Sequence, residues 1–247
     1  MKSFLLTSLF AISQVCSAAS LSPAAQEACE AARELSGAVC DCDMSWMVDR
    51  MYPPLKRLLA DQLSMKDAAA RRASAQRFMG STKETDAQAL SRIAANERAL
   101  RNKYIVIGSQ MKKQGIRVES FTVSPAVAEY ELALPRNVAK GVYSDKKGNT
   151  SAEDLTMGQD RSRLVVLPTT LIVSVPNPQT GERVRVEQKS HIYAVRDEQV
   201  AQGANTRGTV LNKWYFIDGK TEVRTLRSFF INIPLRLKLP INSSRQL

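Results

Sequence analysis

The chain has 247 residues, with 35 Lys and Arg against 24 Asp and Glu, a formal charge of +11 and a single His. Its 44% hydrophobic and 24% charged content is that of a globular protein able to bury a core, and one imidazole excludes multi-histidine metal centres. The basic balance favours anionic partners through long-range attraction; with no recognisable nucleic-acid module beside it, the expected partner is an envelope protein or anionic envelope component, and not nucleic acid.

Residues 1–19 read as a secretory signal: Lys2 makes a basic start, Phe4 to Val15 an apolar stretch, and Cys16-Ser17-Ala18-Ala19 a small-residue cleavage site. The stretch is shorter than the roughly 20 apolar residues that span a bilayer, so we expect an exported mature chain without a transmembrane helix. The short Met1-Lys2 start suits a bacterium, so a periplasmic location is the expectation, with Asn149-Thr150-Ser151 and Asn242-Ser243-Ser244 as glycosylation acceptors in a eukaryotic secretory route. Lipidation at Cys16 is the competing account, although Ser13-Gln14-Val15 lacks the small residue that precedes an acylated cysteine.

Residues 20–48 form a cysteine-containing helix and turn. Ser22-Pro23 supplies a capping serine and a proline at the first helical position, and Gly37 is expected to end the helix. Cys29, Cys40 and Cys42 survive cleavage. An oxidising compartment predicts a disulfide from Cys29 to Cys40 or Cys42, because neighbours one residue apart converge poorly. The odd count leaves one thiol free or bridging a dimer. Three thiolates with Asp41 or Asp43 would offer four metal ligands, but tight zinc sites normally show a second ligand pair, so no metal or cofactor is expected.

Residues 49–116 are read as helical. Pro53-Pro54 opens a helix carrying Leu55, Leu58, Leu59, Leu63 and Phe78 that stops near Gly80. Thr85-Asp86-Ala87-Gln88 has the capping-box pattern, and a third helix follows to Gly115 with Leu90, Ile93, Ala94, Leu100, Tyr104 and Ile107 returning to one face. The stretch 50–117 holds fifteen Lys and Arg against five acids. Its Arg92, Arg98 and Arg101 are the candidate partner-binding residues, with a solvated helix face as the plainer reading.

From Arg117 to Leu247 the period changes to two. Val118 to Val123 and Ala126 to Leu134 read as strands broken at Ser124-Pro125, where proline removes a ladder donor. A polar stretch, 138–161, is expected to be a long loop. Arg163 to Pro176 and Arg183 to Arg196 form the clearest hairpin; Val184, Val186, Ile192 and Ala194 share one face of its second strand, and Arg185, Glu187, Lys189, His191 and Tyr193 the other. Thr209 to Ile217 reads as a further strand, Thr221 to Phe230 as a short helix and Ile231 to Pro240 as an extended tail.

Helices followed by antiparallel strands indicate α+β, with N-terminal helices packed on a curved antiparallel sheet. Lys213-Trp214-Tyr215-Phe216-Ile217-Asp218-Gly219, with Phe229-Phe230 and Pro234 after it, resembles the terminal strand and tail of nuclear transport factor 2-like proteins, the cystatin-like α+β cone superfamily. That resemblance implies a pocket between sheet and helices. It leaves function open, since the superfamily includes hydrolases, isomerases, carriers, assembly factors and inhibitors.

His191, Tyr193, Trp214 and Phe216 are the candidate pocket residues. Glu187 and His191 lie about 13 Å apart along one strand at roughly 3.3 Å per residue, too far to bond, so a solvated or structurally bonded His191 is expected and no catalytic residue is assigned. Trp214 and Phe216 share one strand face and Tyr215 and Ile217 the other, which suits a strand buried on both sides. Asp218-Gly219 is read as a turn pair. Without a nucleophile elbow, zincin helix or phosphate loop, the expected function is that of a non-enzymatic, exported binding or assembly module. The alternatives are a small-molecule or lipid carrier, or a hydrolase or isomerase, using the pocket.

Overall fold

The structure, a computed structural model, describes residues 22–66, 86–134, 161–199 and 209–247. The signal segment with Cys16, the expected helix end at Phe78 and Gly80, the capping threonine Thr85 and the polar stretch 138–160 lie outside the described residues.

A long hairpin is the spine. Strands β3 (Arg161–Pro176) and β4 (Arg183–Gln199) pair antiparallel from Arg161↔Gln199 to Pro176↔Arg183. The turn closes with Gly181 at φ +75° and its N–H donating to the Asn177 carbonyl at 2.8 Å. Two short strands share the outer edge of β3: β1 (Arg117–Val123) lies opposite residues 169–174 and β2 (Ala128–Ala133) opposite residues 161–166. The expected break at Ser124-Pro125 falls between them. The outer edge of β4 is likewise divided between β5 (Tyr215–Asp218) and β6 (Ser243–Gln246), giving a six-stranded antiparallel open sheet four ranks wide.

Register assigns the two faces. Val165, Leu167, Thr169, Leu171 and Val173 share one with Ala194, Ile192, Ser190, Gln188, Phe216 and Asp218; Leu164, Val166 and Pro168 share the other with Val195, Tyr193, His191, Tyr215 and Ile217. Between residues 164–167 and 193–195 both faces are apolar and buried, with Ile192 partly so, as a ribbon covered on two sides requires.

On the first face, helix α1 (Pro23–Arg33) lays down Ala24, Ala25, Ala28, Cys29 and Ala32 against Val165, Leu167, Ala194 and Trp214. Ser22 caps it as expected, accepting from the Ala25 N–H at 3.0 Å. Gly37 does not end the helix. After a turn at Glu34 a second helix, α2 (Leu35–Cys40), continues through Gly37, and α3 (Met44–Asp49) follows with Asp43 as its cap. On the second face, α6 (Val223–Arg227) and the residues after it bring Leu226, Phe229, Phe230 and Ile233 onto Tyr193, Val195, Tyr215 and Ile217. Tyr52 sits among the aromatics, 5.7 Å from Phe230 and 5.9 Å from Phe229. Its hydroxyl donates to the fully buried Asp197 carboxylate at 3.3 Å.

Helices α4 (Pro53–Lys66) and α5 (Asp86–Lys113) pack on each other beside α3. On α5, Leu100, Tyr104 and Ile107 turn inward as expected, whereas Leu90 and Ala94 face solvent. The expected strand from Thr209 shrinks to Tyr215–Asp218, because Asp197 accepts from the Thr209 hydroxyl at 2.7 Å through its carboxylate and from the Asn212 N–H at 2.9 Å through its carbonyl, holding residues 209–212 as a turn.

Charged side chains fasten α1 to the sheet. Arg163 binds Glu129 and, at 2.7 and 3.2 Å, Glu198; Arg196 binds Glu27 and, at 2.8 Å, Glu198, while its guanidinium lies 4.6 Å over Trp214. The Arg163 and Arg196 hydrogen bonds outweigh burial and hold the Glu198 carboxyl below its ordinary value. That stabilisation is complete above the ordinary carboxylate range and is lost as pH falls through the lowered folded value.

Two stability measurements follow from this packing. Glu198→Gln is expected to cost about 1–2 kcal/mol at pH 7, with the difference from the parent closing as pH drops below about 4; urea midpoints across pH check it. A Cβ on Gly108 of α5 would stand 2.4 Å from the Cys42 carbonyl, whereas one on Gly37 of α2 meets nothing within 4 Å. Gly108→Ala should therefore destabilise by about 1–3 kcal/mol despite its better helix propensity, and Gly37→Ala should stabilise by about 0.5–1 kcal/mol, both read from urea unfolding.

Candidate ligand cavity

Helix α1 covers only part of the first face. Where it stops, Thr169, Leu171 and Val173 on β3, with Gln188, Ser190 and Ile192 on β4, floor a cavity of about 480 Å³. The floor runs four residues along each strand, about 13 Å at the usual rise. Phe216 and Asp218 on β5 extend it at one end and Val118 on β1 at the other. Leu35 and Val39 of α2, Leu55 and Leu59 of α4, and four methionines (Met44, Met47, Met51 and Met111) make the walls. Thioether chains adjust to irregular apolar shapes at small cost.

The walls are held in place by the helices' own contacts. Arg101 on α5 grips Asp49 on α3 at 3.2 and 3.3 Å, Lys56 on α4 reaches Glu97 on α5 at 2.9 Å, and Arg92 lies 3.9 Å from Asp61. The bare backbone of Gly108 rests on the Cys42 carbonyl. Tyr104 and Met111 stand seven residues apart on α5, two turns on one face, which brings both to the cavity.

Polar groups are in the minority, and Arg50, Asp218, Lys220 and Thr221 border the cavity beside Tyr104. Burial raises the Tyr104 phenol above its ordinary range and the negative charge of Asp218 adds to the effect, so it stays a neutral hydrogen-bond donor. Asp218 shapes the β5 turn through a carboxylate oxygen that accepts from the Lys220 N–H at 2.9 Å. The turn reading of Asp218-Gly219 therefore holds, and the same residue also borders the cavity. Gln188, Ser190 and Thr169 add short neutral groups on the floor.

The residues singled out in the sequence separate in space. Phe216 lines the cavity. Tyr193 is buried in the core of the other face, and Trp214 packs with α1 beneath Arg196. His191 borders the cavity, yet register puts its imidazole on the far side of β4. There it is 2% exposed, with Nδ1 3.3 Å from the Asn242 side-chain oxygen and Nε2 3.3 Å from the Tyr193 hydroxyl. Gly219 packs against it so closely that a Cβ would lie 2.1 Å from the His191 carbonyl oxygen. Of its two expected states the structure shows the bonded one.

Cys29, Cys40 and Cys42 are free thiols in the structure, so the expected link from Cys29 is not formed. Cys29 is buried on α1, with its Sγ donating to the Ser124 carbonyl at 3.7 Å, and burial raises its pKa, which keeps it an unreactive thiol. Cys42 sits at φ 52° in the turn under α5. Of the candidate partner-binding arginines, Arg92 and Arg101 pair with acids of α4 and α3, and Arg98 is exposed. The cavity methionines, Leu171, Val173 and the role of Tyr104 as a wall residue were missed by sequence reasoning. The usable signal was the pair Gln188 and Ser190, uncharged polar residues between Val184 and Val186 on one side and Ile192 and Ala194 on the other along one face of β4.

Among the described residues no three His, Cys, Asp or Glu side chains converge as metal ligands would, and no helix is long and apolar enough to cross a membrane. Compared with known proteins, the chain matches no family model, and no curated protein or solved structure is detectably similar to it.

Proposed function

We propose that the chain is a non-enzymatic binding module of nuclear transport factor 2-like architecture that works in the cell envelope after export and holds an apolar or amphipathic small molecule between its sheet and helices. The observation that carries this reading is the 480 Å³ cavity on the uncovered half of the first sheet face. Its size falls within the roughly 300–1,000 Å³ of ligand pockets, and its makeup of apolar walls with a few convergent polar groups is theirs as well. The four methionines suit an occupant recognised by apolar bulk, and the neutral Tyr104 phenol suits a polar end group.

Of the two binding readings drawn from the sequence, the cavity favours small-molecule binding over docking through Arg92, Arg98 and Arg101. Two of those three guanidiniums are already engaged in joining α5 to its neighbours. The arrangement of His191 supports the non-enzymatic reading, since the imidazole lies across the strand from the cavity and both ring nitrogens have partners.

Fluorescence of N-phenyl-1-naphthylamine, an uncharged apolar probe, tests the proposal. The parent is expected to enhance and blue-shift its emission, and dodecanol should compete it out. Leu171→Trp, which fills the floor, should weaken probe binding at least tenfold while leaving the urea midpoint within the error of a surface change. No enhancement by the folded parent, or equal binding by a folded Leu171→Trp variant, would contradict the assignment.

A further inference from the structure

We propose that residues 231–241 form a docking strip for an anionic lipid surface. The strip is separate from the cavity. It leaves α6 and crosses the second sheet face, where Ile233 is buried and Leu237 packs against the same core. On either side of those anchors and between them the aliphatic residues are turned out: Ile231 is 57% exposed, Leu235 84%, Leu239 39% and Ile241 88%. A single exposed Leu is ordinary on a soluble protein, whereas several large aliphatic side chains within one short segment mark a contact surface.

The segment is held in this form by polar contacts along its length. The Ile231 N–H donates to the Ala133 carbonyl at 3.0 Å and the Asn232 side chain accepts from the Ala133 N–H at 2.6 Å. The Lys238 N–H donates to the Tyr130 hydroxyl at 2.8 Å, and beyond the strip the Asn242 side-chain oxygen lies 3.3 Å from His191 Nδ1 before β6 joins the sheet. The exposed side chains are thus presented by a fixed backbone, which lowers the ordering cost of docking. Tyr130 and the imidazole of His191, which faces away from the cavity, acquire a role as anchors of the strip.

Charge selects the occupant. Residues 220–247 carry six basic side chains (Lys220, Arg224, Arg227, Arg236, Lys238 and Arg245) against one acid, Glu222. Arg236 and Lys238, interleaved with Leu235, Leu237 and Leu239, are exposed and pair with no acid among the described residues. Aliphatic side chains that enter the acyl boundary, beside cations that meet headgroup phosphates, form the pattern of interfacial binding to anionic membranes.

Co-sedimentation of the protein, as purified from its native cells, with vesicles of phosphatidylcholine containing 30% phosphatidylglycerol at 0.1 M salt tests the inference. Binding to these vesicles and not to pure phosphatidylcholine is expected. Leu235→Ser with Ile241→Ser, and separately Arg236→Glu with Lys238→Glu, should each weaken it at least tenfold; all four side chains are exposed, so the fold is retained and circular dichroism verifies it. Absence of binding to the anionic vesicles, or binding within twofold of the parent by either double variant, would overturn the proposal. A dimer in sedimentation equilibrium that the Leu235→Ser and Ile241→Ser pair dissolves would overturn it in favour of a second copy as the occupant. Leu171→Trp leaves the strip untouched and should bind vesicles as the parent does, which separates this inference from the cavity reading.

Discussion

The structure depends on a short length of one hairpin that is apolar on both sides. Residues 164–167 and 192–195 pair across the ribbon, and every second side chain must be covered from opposite directions. A helix packed on a ribbon covers only one of its two sides. Helices α1 and α6 therefore take one face each, and the aromatic cluster around Tyr52 and the alanine face of α1 are the two halves of one solution. Small side chains on α1 let it lie close to Val165 and Ala194, whereas the other face is filled by rings of Tyr52, Phe229 and Phe230. Charged groups then fix the edges, where Arg163 and Arg196 are shared among Glu27, Glu129 and Glu198.

The cavity is a consequence of the same geometry. The hairpin runs well beyond the doubly covered segment, and along that extension the second face turns polar at Lys189, Glu187 and Arg185, while the first keeps Leu171 and Val173 beside Ser190 and Gln188. Helix α1 ends before it can cover them. The helices that roof this region are joined mainly to one another, through Arg101 with Asp49 and Lys56 with Glu97, so they stand off the floor instead of collapsing onto it. Leaving apolar walls wet forfeits about 25 cal/mol for each Å², and an occupant that covers them stabilises the folded state by its own binding free energy.

The elements set by local rules were legible in the sequence. The cap at Ser22, the strand break at Ser124-Pro125, the alternation along β4 and the two-sided burial around Phe216 follow from backbone sterics and side-chain period. What the sequence hid was tertiary. Gly37 has the composition of a helix end, yet α2 continues through it, and the six residues of α3 are too few for periodicity to register. The cavity draws Met44 and Met51 from one region, Met111 from another and Leu171 from a third, so no window contains its pattern. Spacing paired Cys29 with the next cysteines, but the turn at Glu34 and the burial of Cys29 against Ser124 send them apart. The lone histidine drew attention as chemistry; its buried place beneath Asn242 is architectural.

Methionine methyl resonances test the central claim most directly. The chain has eight methionines, of which Met44, Met47, Met51 and Met111 line the cavity. With carbon-13 in the methionine methyls and the four cavity signals assigned by single Met→Leu variants, titration with dodecanol is expected to shift those four in a saturable way, and Leu171→Trp to abolish the shifts. No saturable shift at the four cavity positions in the folded protein, or the same shifts in a folded Leu171→Trp variant, would contradict the account.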